Sequence, residues 1–328
     1  MNDRARPGSG AAPGAAPGPG DILVVGSVAL DSIRTPYGEV EEALGGSASY
    51  FSIAASHFAP VRIVAVVGED FPPRHREVFE ACGVDLSGLE SRPGRTFRWR
   101  GEYTAELGHA ITHETQLNVF SSFHPKLAAH HRRTRHVFLA NIDPDLQLEV
   151  LGQMERPRLA VSDTMNYWIA RKPDRVIEVL RRVDVALLNE EEARALSGES
   201  QLVRAAGRLL EQGARAVIVK QGEHGALYRS RDELFITPAF PVSGLCDPTG
   251  AGDSFAGGFI GWLARSGRND GHDLCQALAC GAAMASLAIE SFSPERLART
   301  DHREIGERVS ALHRMVHFEL APWFGQPG

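Results

Sequence analysis

The sequence predicts an α/β fold around a mainly parallel central sheet, and three observations lead there. Short apolar runs rich in β-branched residues recur along the chain with helical stretches between them, the rhythm of a parallel sheet covered on both faces. Several of these runs end in polar residues, at the strand edge where such sheets bind ligands. In the last third of the chain a glycine-rich turn, Asp247-Pro-Thr-Gly-Ala-Gly-Asp253, opens a long apolar helix.

In that helix Phe255, Phe259 and Leu263 recur every four positions, with Ala256 and Ile260 beside them. It therefore runs from about Gly250, with Thr249 as the expected cap and Ser266-Gly267 as the stop. Gly257, Gly258 and Gly261 lie inside it, each at a cost of about 0.5–1 kcal/mol relative to Ala, so something needs the missing side chains. At the front, Gly250-Ala251-Gly252 present unpaired N–H groups at the positive end of the helix dipole, where a phosphate or another anion binds. Asp253 follows directly. A carboxylate beside an anion site is useful when the anion is a phosphoryl group and a hydroxyl must lose its proton to attack it. Spacing alone also allows a capped core helix with an acidic first turn.

Asp247-Pro-Thr-Gly-Ala-Gly-Asp253 resembles the C-terminal signature of the ribokinase-like (pfkB) carbohydrate and nucleoside kinases, with Pro248 where many members have Thr. The resemblance covers the chain from residue 21 to about 300. It implies a ribokinase-like three-layer α/β/α sandwich with a mainly parallel central sheet and a small β-sheet lid, its strands around 33–44 and 95–120. It also implies that Asp253 is the general base and that the amides of Gly250, Ala251 and Gly252 form the anion hole for the γ-phosphate of ATP. Asp247 and Thr249 would hold a monovalent cation such as K⁺.

Composition agrees with an ordinary globular enzyme: 43% hydrophobic and 23% charged residues, with a formal net charge of -6. No global basic field is available to hold nucleic acid, and the basic run His130–His136 reads as a solvated helix end and turn. Cys82, Cys246, Cys275 and Cys280 make neither a disulfide framework nor a Cys-x-x-Cys pair, which points to a reducing cytoplasm. His109 and His113 do not make a His-Glu-x-x-His zinc motif. Residues 1–20, almost all Pro, Gly and Ala, are expected to be a disordered tail. No stretch of about 18 apolar residues suggests a membrane span.

Asp21–Val28 reads as a buried strand followed by Asp31, so that its C-terminal end delivers a carboxylate. Gly26 is not followed by the further glycines of a dinucleotide fingerprint, which argues against a dehydrogenase. Gly45-Gly46 leads into a helix through Phe58, and the resemblance makes these glycines a lid hinge and Asp31 a ligand of substrate hydroxyls. Tyr50 stands where ribokinase-like sugar kinases often carry Asn; it suits either a substrate with a flat ring or a half-buried helix position.

In Arg95–Tyr103 the residues Phe97, Trp99 and Tyr103 alternate with Arg98, Arg100 and Glu102, and after a turn at Gly108 residues 109–120 return as a second strand. The resemblance makes this hairpin part of the lid, pairs lids in a homodimer, and lets Asn118 reach the substrate. Further strands are expected at His136–Ala140, ending at Asn141, at Arg158–Val161, ending at Asp163, and at Val183–Leu188, ending at Asn189. Helices fit at Asp145–Glu155 and Asp174–Arg182.

Asn189-Glu-Glu-Glu192 is a capping box in its own right. The resemblance adds an Asn-x-x-Glu motif in which Asn189 lies at the nucleotide and Glu192 places Mg²⁺, through water. Ala216–Gly222 is a strand, and Lys220 and Gly222 resemble the nucleotide-binding turn after it, with Gly225 beyond them on the ATP side, although a surface lysine at a strand end reads the same way. The small residues of Cys275–Ile289 would let that helix lie against the glycines of the 250–264 helix and wall the adenine pocket.

The function expected from the resemblance is an ATP-dependent phosphotransferase acting on a hydroxymethyl group of a small sugar, with Asn141 among the acceptor-side residues. A nucleoside kinase of the same fold is the alternative, and a silent ligand-binding homologue a more distant one.

Overall fold

Ile22–Val25, the first apolar run, is fully buried and forms strand β1. The structure, a computed structural model, describes residues 18, 20–104, 110–268 and 270–317; residues 1–17 and 19, nearly all of the expected tail, lie outside the described residues. After β1 the chain leaves for two strands of a separate sheet, β2 (Ala29–Thr35) and β3 (Gly38–Gly45), and returns through α1 (Ser47–Ser56) to β4 (Val61–Gly68). Helix α2 (Pro73–Ala81) and β5 (Asp85–Arg92) follow, then β6 (Phe97–Tyr103) and β7 (Ala110–Gln116) of the separate sheet. The turn of that hairpin, residues 105–109, lies outside the described residues.

From there strand and helix alternate: α3 (Ala129–Arg132), β8 (His136–Leu139), α4 (Pro144–Gln153), β9 (Leu159–Ser162), α5 (Asn166–Arg171) and α6 (Pro173–Arg182). Then come β10 (Val185–Asn189), α7 (Glu190–Ser197), α8 (Leu202–Glu211), β11 (Ala216–Lys220), β12 (Ala226–Ser230) and β13 (Leu234–Thr237). The long helices α9 (Ala251–Ser266) and α10 (Gly271–Ala288) precede α11 (Glu295–Arg299) and α12 (His302–Val316).

Among the described residues the central sheet has nine strands in the order β13-β12-β11-β10-β9-β8-β1-β4-β5, and the separate sheet, the lid, has four in the order β3-β2-β6-β7. The central pairs are parallel except β11–β12 and β12–β13. Beside β1 the order reverses, with β4 on one side and β8 on the other, which opens a crevice at the C-terminal strand ends. One apolar cluster joins α1, α9 and α10 to one face of the sheet, and another joins α4, α6 and α8 to the opposite face. The expected α/β/α layering with a small lid therefore forms.

The helix glycines set how closely the first layer packs. A Cβ at Gly257 would stand 2.7 Å from the Phe51 carbonyl oxygen on α1, and one at Gly258 would stand 2.5 Å from the Cys280 carbonyl oxygen on α10. Helix α9 lies between two neighbours at backbone contact, which answers the question its glycines raise.

Two expectations fail. Asp31 is not delivered by the end of a central strand: it is the third residue of β2, so the lid begins at Ala29, ahead of the expected residue 33. The basic run is not simply solvated either. Arg132, Arg133 and Arg135 are exposed, but His131 and His136 are buried at 2% exposure, because α3 and β8 turn those two rings into the core.

Candidate active site

Helix α9 starts at Ala251 on an N-cap of Gly250, whose φ of 75° lies in the left-handed region and which has no side-chain cap. Thr249, the expected cap, does something else. Its N–H donates to Asp247 Oδ1 at 2.9 Å, and its hydroxyl donates to the Tyr103 hydroxyl at 3.1 Å, reaching across to the lid. Glycine is required at 250 twice over: a Cβ is disfavoured at that φ, and it would overlap the ring of Tyr50, which is fully buried on α1. Of the three expected anion-hole amides, that of Ala251 is already engaged with the Pro248 carbonyl at 3.2 Å, a turn closed within the motif itself. Of the three expected donors, that leaves Gly250 and Gly252.

Asp253 stands in the first turn of α9. Burial, with the Asp163 charge adding to it, pushes its carboxyl up to about 7 against the pull of Lys220. Lys220, the last residue of β11, brings its ammonium to Asp163 Oδ2 at 2.5 Å, and a Cβ at Gly252 would stand 3.1 Å from the same nitrogen. Burial alone would push that ammonium down, but the Asp163 and Glu192 charges outweigh it and hold it above the usual lysine range. Lys220 is thus no surface lysine: three parallel strands bring Asp163, Glu192 and Lys220 to one point beside the glycine turn.

Asn189 and Glu192 form the capping box of α7. The Asn189 side chain accepts from Glu192 N–H at 2.9 Å, and Glu192 Oε2 accepts from Asn189 N–H at 2.7 Å. Glu192 is nonetheless buried beside the cluster, where burial pushes its carboxyl up although the Lys220 charge opposes the shift. The capping role and proximity to the charge cluster coexist in one side chain.

On the lid side, Asp31 is buried at 5% exposure. Burial pushes its carboxyl up to about 7 despite a bond from the Gly46 N–H, and the Asp247 and Asp253 charges add to the shift. Gly45 has to be bare because a Cβ would overlap the Asp31 carboxyl, and Gly46, with φ 91°, is the N-cap of α1. Asp247 is fully buried and its Oδ2 has no hydrogen-bond partner. The Tyr103 hydroxyl is pushed up to about 12 by burial, partly offset by its bond to Thr249.

The remaining predicted residues are placed less centrally. Asn118 opens a short 3-10 turn, and its side-chain amide donates to the Thr96 carbonyl at 2.9 Å, so that group is committed within the lid base. Asn141, just past β8, donates to Met165 Sδ at 3.2 Å and leaves Oδ1 buried without a partner. Gly222 begins a 3-10 turn after β11; Gly225 closes it with φ 95° at a point where a Cβ would overlap the Thr237 carbonyl oxygen. Among the described residues no helix is long and apolar enough to cross a membrane.

A model of the pfkB family carbohydrate kinases matches residues 20–300. The chain belongs to that family. Like its other members it is an ATP-dependent kinase of the sugar and nucleoside class. This pfkB chain is 29% identical to a cytidine kinase of Thermococcus kodakarensis over 253 residues, covering 75% of this chain and 89% of that one. It is 24% identical to a ribokinase of Haemophilus influenzae over 291 residues, covering 82% and 92%. Its fold superposes on a nucleoside kinase of Methanocaldococcus jannaschii with a TM-score of 0.72 at 20% identity, covering 89% of this chain and 98% of that one. A putative ribokinase II of E. coli, in complex with ATP and Mg²⁺, gives a TM-score of 0.69 at 23% identity, covering 89% and 99%.

Two residues of this candidate site escaped the sequence reading. Asp163 was visible only as one polar strand end among several, and its pairing with Lys220 spans 57 positions. Tyr103 was visible as part of an alternating aromatic face, with nothing local to say that its hydroxyl meets Thr249.

Proposed function

We propose that this protein transfers the γ-phosphoryl group of ATP to a hydroxymethyl group of a small sugar or nucleoside, with Asp253 as the general base. One observation carries the reading: a carboxyl held at about 7 stands beside the Gly250–Gly252 turn, with the Lys220 ammonium at the same turn. Asp253 takes the proton from the acceptor hydroxyl as its oxygen bonds the γ-phosphorus. The bond from that phosphorus to the bridging oxygen breaks, and ADP leaves. The amides of Gly250 and Gly252 and the Lys220 ammonium stabilise the charge that develops. Asp31 orients the acceptor through its hydroxyls, and Gly45 and Gly46 let the lid move over it. Asn189, Gly222 and Gly225 lie on the nucleotide side.

The donor set fits Mg²⁺, which keeps several waters and takes one or two carboxylates plus nucleotide phosphates. Glu192, with Asp163 beside it, would be the carboxylate group that holds it, and the ion would supply further neutralisation of phosphate charge. The unpartnered Oδ2 of buried Asp247 fits a monovalent cation such as K⁺. The same reading makes the enzyme cytoplasmic, where the free thiols of Cys82, Cys246, Cys275 and Cys280 persist. It also pairs two copies through their lids, which sedimentation would test.

An ATP-consumption screen over pentoses, hexoses, ketoses, deoxyketonates and nucleosides tests the reaction. At least one acceptor is expected to stimulate turnover, and Asp253→Asn should lower that turnover by ~10²–10⁴. A variant within about tenfold of the wild type would remove Asp253 from the chemistry.

A further inference from the structure

Strand β6 holds an aromatic side chain that phosphoryl transfer does not use. Trp99 pairs in register with Asp31 across the parallel β2–β6 ladder, so the two side chains leave the same face of the lid from strands about 4.8 Å apart. That face looks onto the glycine turn, since Tyr103, four residues further along the strand, meets Thr249 there. Gly101, between Trp99 and Tyr103, is buried, and a Cβ on it would overlap the six-membered ring of Trp99. The indole therefore lies flat along the strand over Gly101. Its Nε1–H donates to Thr112 Oγ1 on β7 at 3.2 Å, which fixes the rotation of the ring.

One face of the ring covers Gly101, and Trp99 as a whole stays half-buried. We infer that the other face is a stacking platform for a planar ring on the acceptor, so that the acceptor is a nucleoside: hydroxyls on Asp31, base on Trp99, hydroxymethyl group at Asp253. The platform starts one strand away from Asp31 and runs about 6.6 Å along β6, an offset that a base joined to ribose spans and a lone furanose does not. Stacking on an oriented aromatic ring tolerates different bases, because each has a π face. Trp99 is thereby a specificity-determining residue, and the inference rests on the kinase reading of the same site.

The test compares D-ribose with purine and pyrimidine ribonucleosides, using the full-length wild type, Trp99→Leu and Trp99→Phe. Wild type should prefer at least one nucleoside over ribose in kcat/KM. Trp99→Leu should raise the KM for that nucleoside ~10–100-fold, with the KM for ATP changed less than about threefold, and Trp99→Phe should recover most of the loss. Saturable quenching of wild-type tryptophan fluorescence by the nucleoside, reduced in Trp99→Phe, would support the platform independently of turnover. Turnover of ribose with no nucleoside preference overturns the inference and leaves the kinase intact. An indole that merely shields Gly101 would lower the melting temperature of Trp99→Leu with no change in the nucleoside KM, and that too overturns it. Should no acceptor stimulate ATP turnover, the kinase reading falls and the acceptor assignment with it, and quenching that persists would then show base binding at Trp99 without transfer.

Discussion

The two edges of the central sheet bury similar groups and treat them in opposite ways. At the N-terminal edge the fully buried Arg62 of β4 donates to Asp21 at 2.9 Å and to Asp85 at 3.3 Å, tying β1, β4 and β5 together. Asp85 also accepts from Ser87 N–H at 2.9 Å, and a ring nitrogen of His136 meets the Asp21 carbonyl at 3.2 Å. At the C-terminal edge, burial pushes Asp31 and Asp253 up to about 7, while Asp247 Oδ2 and Asn141 Oδ1 are buried without partners. At one edge the chain itself pairs the buried charges, and what stays unpartnered beside them is an imidazole nitrogen, Nε2 of His131, whose ring burial holds at about 4 and so neutral. The other keeps unused bonding capacity on its carboxylates, at a cost in stability, the pattern of a ligand-binding edge.

Deleting a charge should therefore have opposite consequences at the two edges. The largest effect is expected at Asp253, whose replacement by Asn removes the proposed base; in the wild type kcat/KM should rise with pH through about 7 as that carboxyl loses its proton. A profile flat from pH 5.5 to 8.5 would contradict the assignment. Next in size, Arg62→Met leaves Asp21 and Asp85 buried without their partner and should cost about 3–5 kcal/mol in urea unfolding at neutral pH, with kcat per folded molecule unchanged. An unaltered midpoint would mean that water reaches this edge.

A smaller effect of the opposite sign follows at the reactive edge. The Asp253 carboxyl titrates at about 7 when folded, against a usual 3.8, so the folded protein holds that proton more tightly. Its contribution to stability is full below the usual value and is lost as pH rises through about 7. Asp253→Asn should accordingly be more stable than the wild type at pH 8, by about 1–2 kcal/mol, with the difference closing towards pH 4. Equal unfolding curves at pH 8 would show that Asp253 is well solvated. The smallest effect concerns Asp247: exchanging potassium for a bulky organic cation should lower turnover severalfold, and identical rates would leave its Oδ2 without a cation.

Much of this was legible from the chain. The capping box at Asn189 and Glu192, the hairpin strand β6 and the glycines of α9 are written in neighbours a few residues apart, because caps, alternation and close helix contact leave local patterns. The failures share a cause. Asp31 was assigned to a central strand because apolar residues run almost unbroken from Ile22 to Leu30, and nothing in that run marks where the chain changes sheets. Thr249 was expected as a cap because its residue type caps well; the distant Tyr103 and the left-handed Gly250 decided otherwise.

By itself, then, the sequence determined the α/β architecture, the place of the glycine turn and the carboxylate that follows it, since periodicity and backbone freedom are properties of adjacent residues. Which side chains meet at that turn was decided only in three dimensions. Asp163 with Lys220, Tyr103 with Thr249, and Trp99 laid over Gly101 beside Asp31 depend on register between strands. A charge buried by residues from elsewhere in the chain has its proton affinity set by that packing, which no local pattern records.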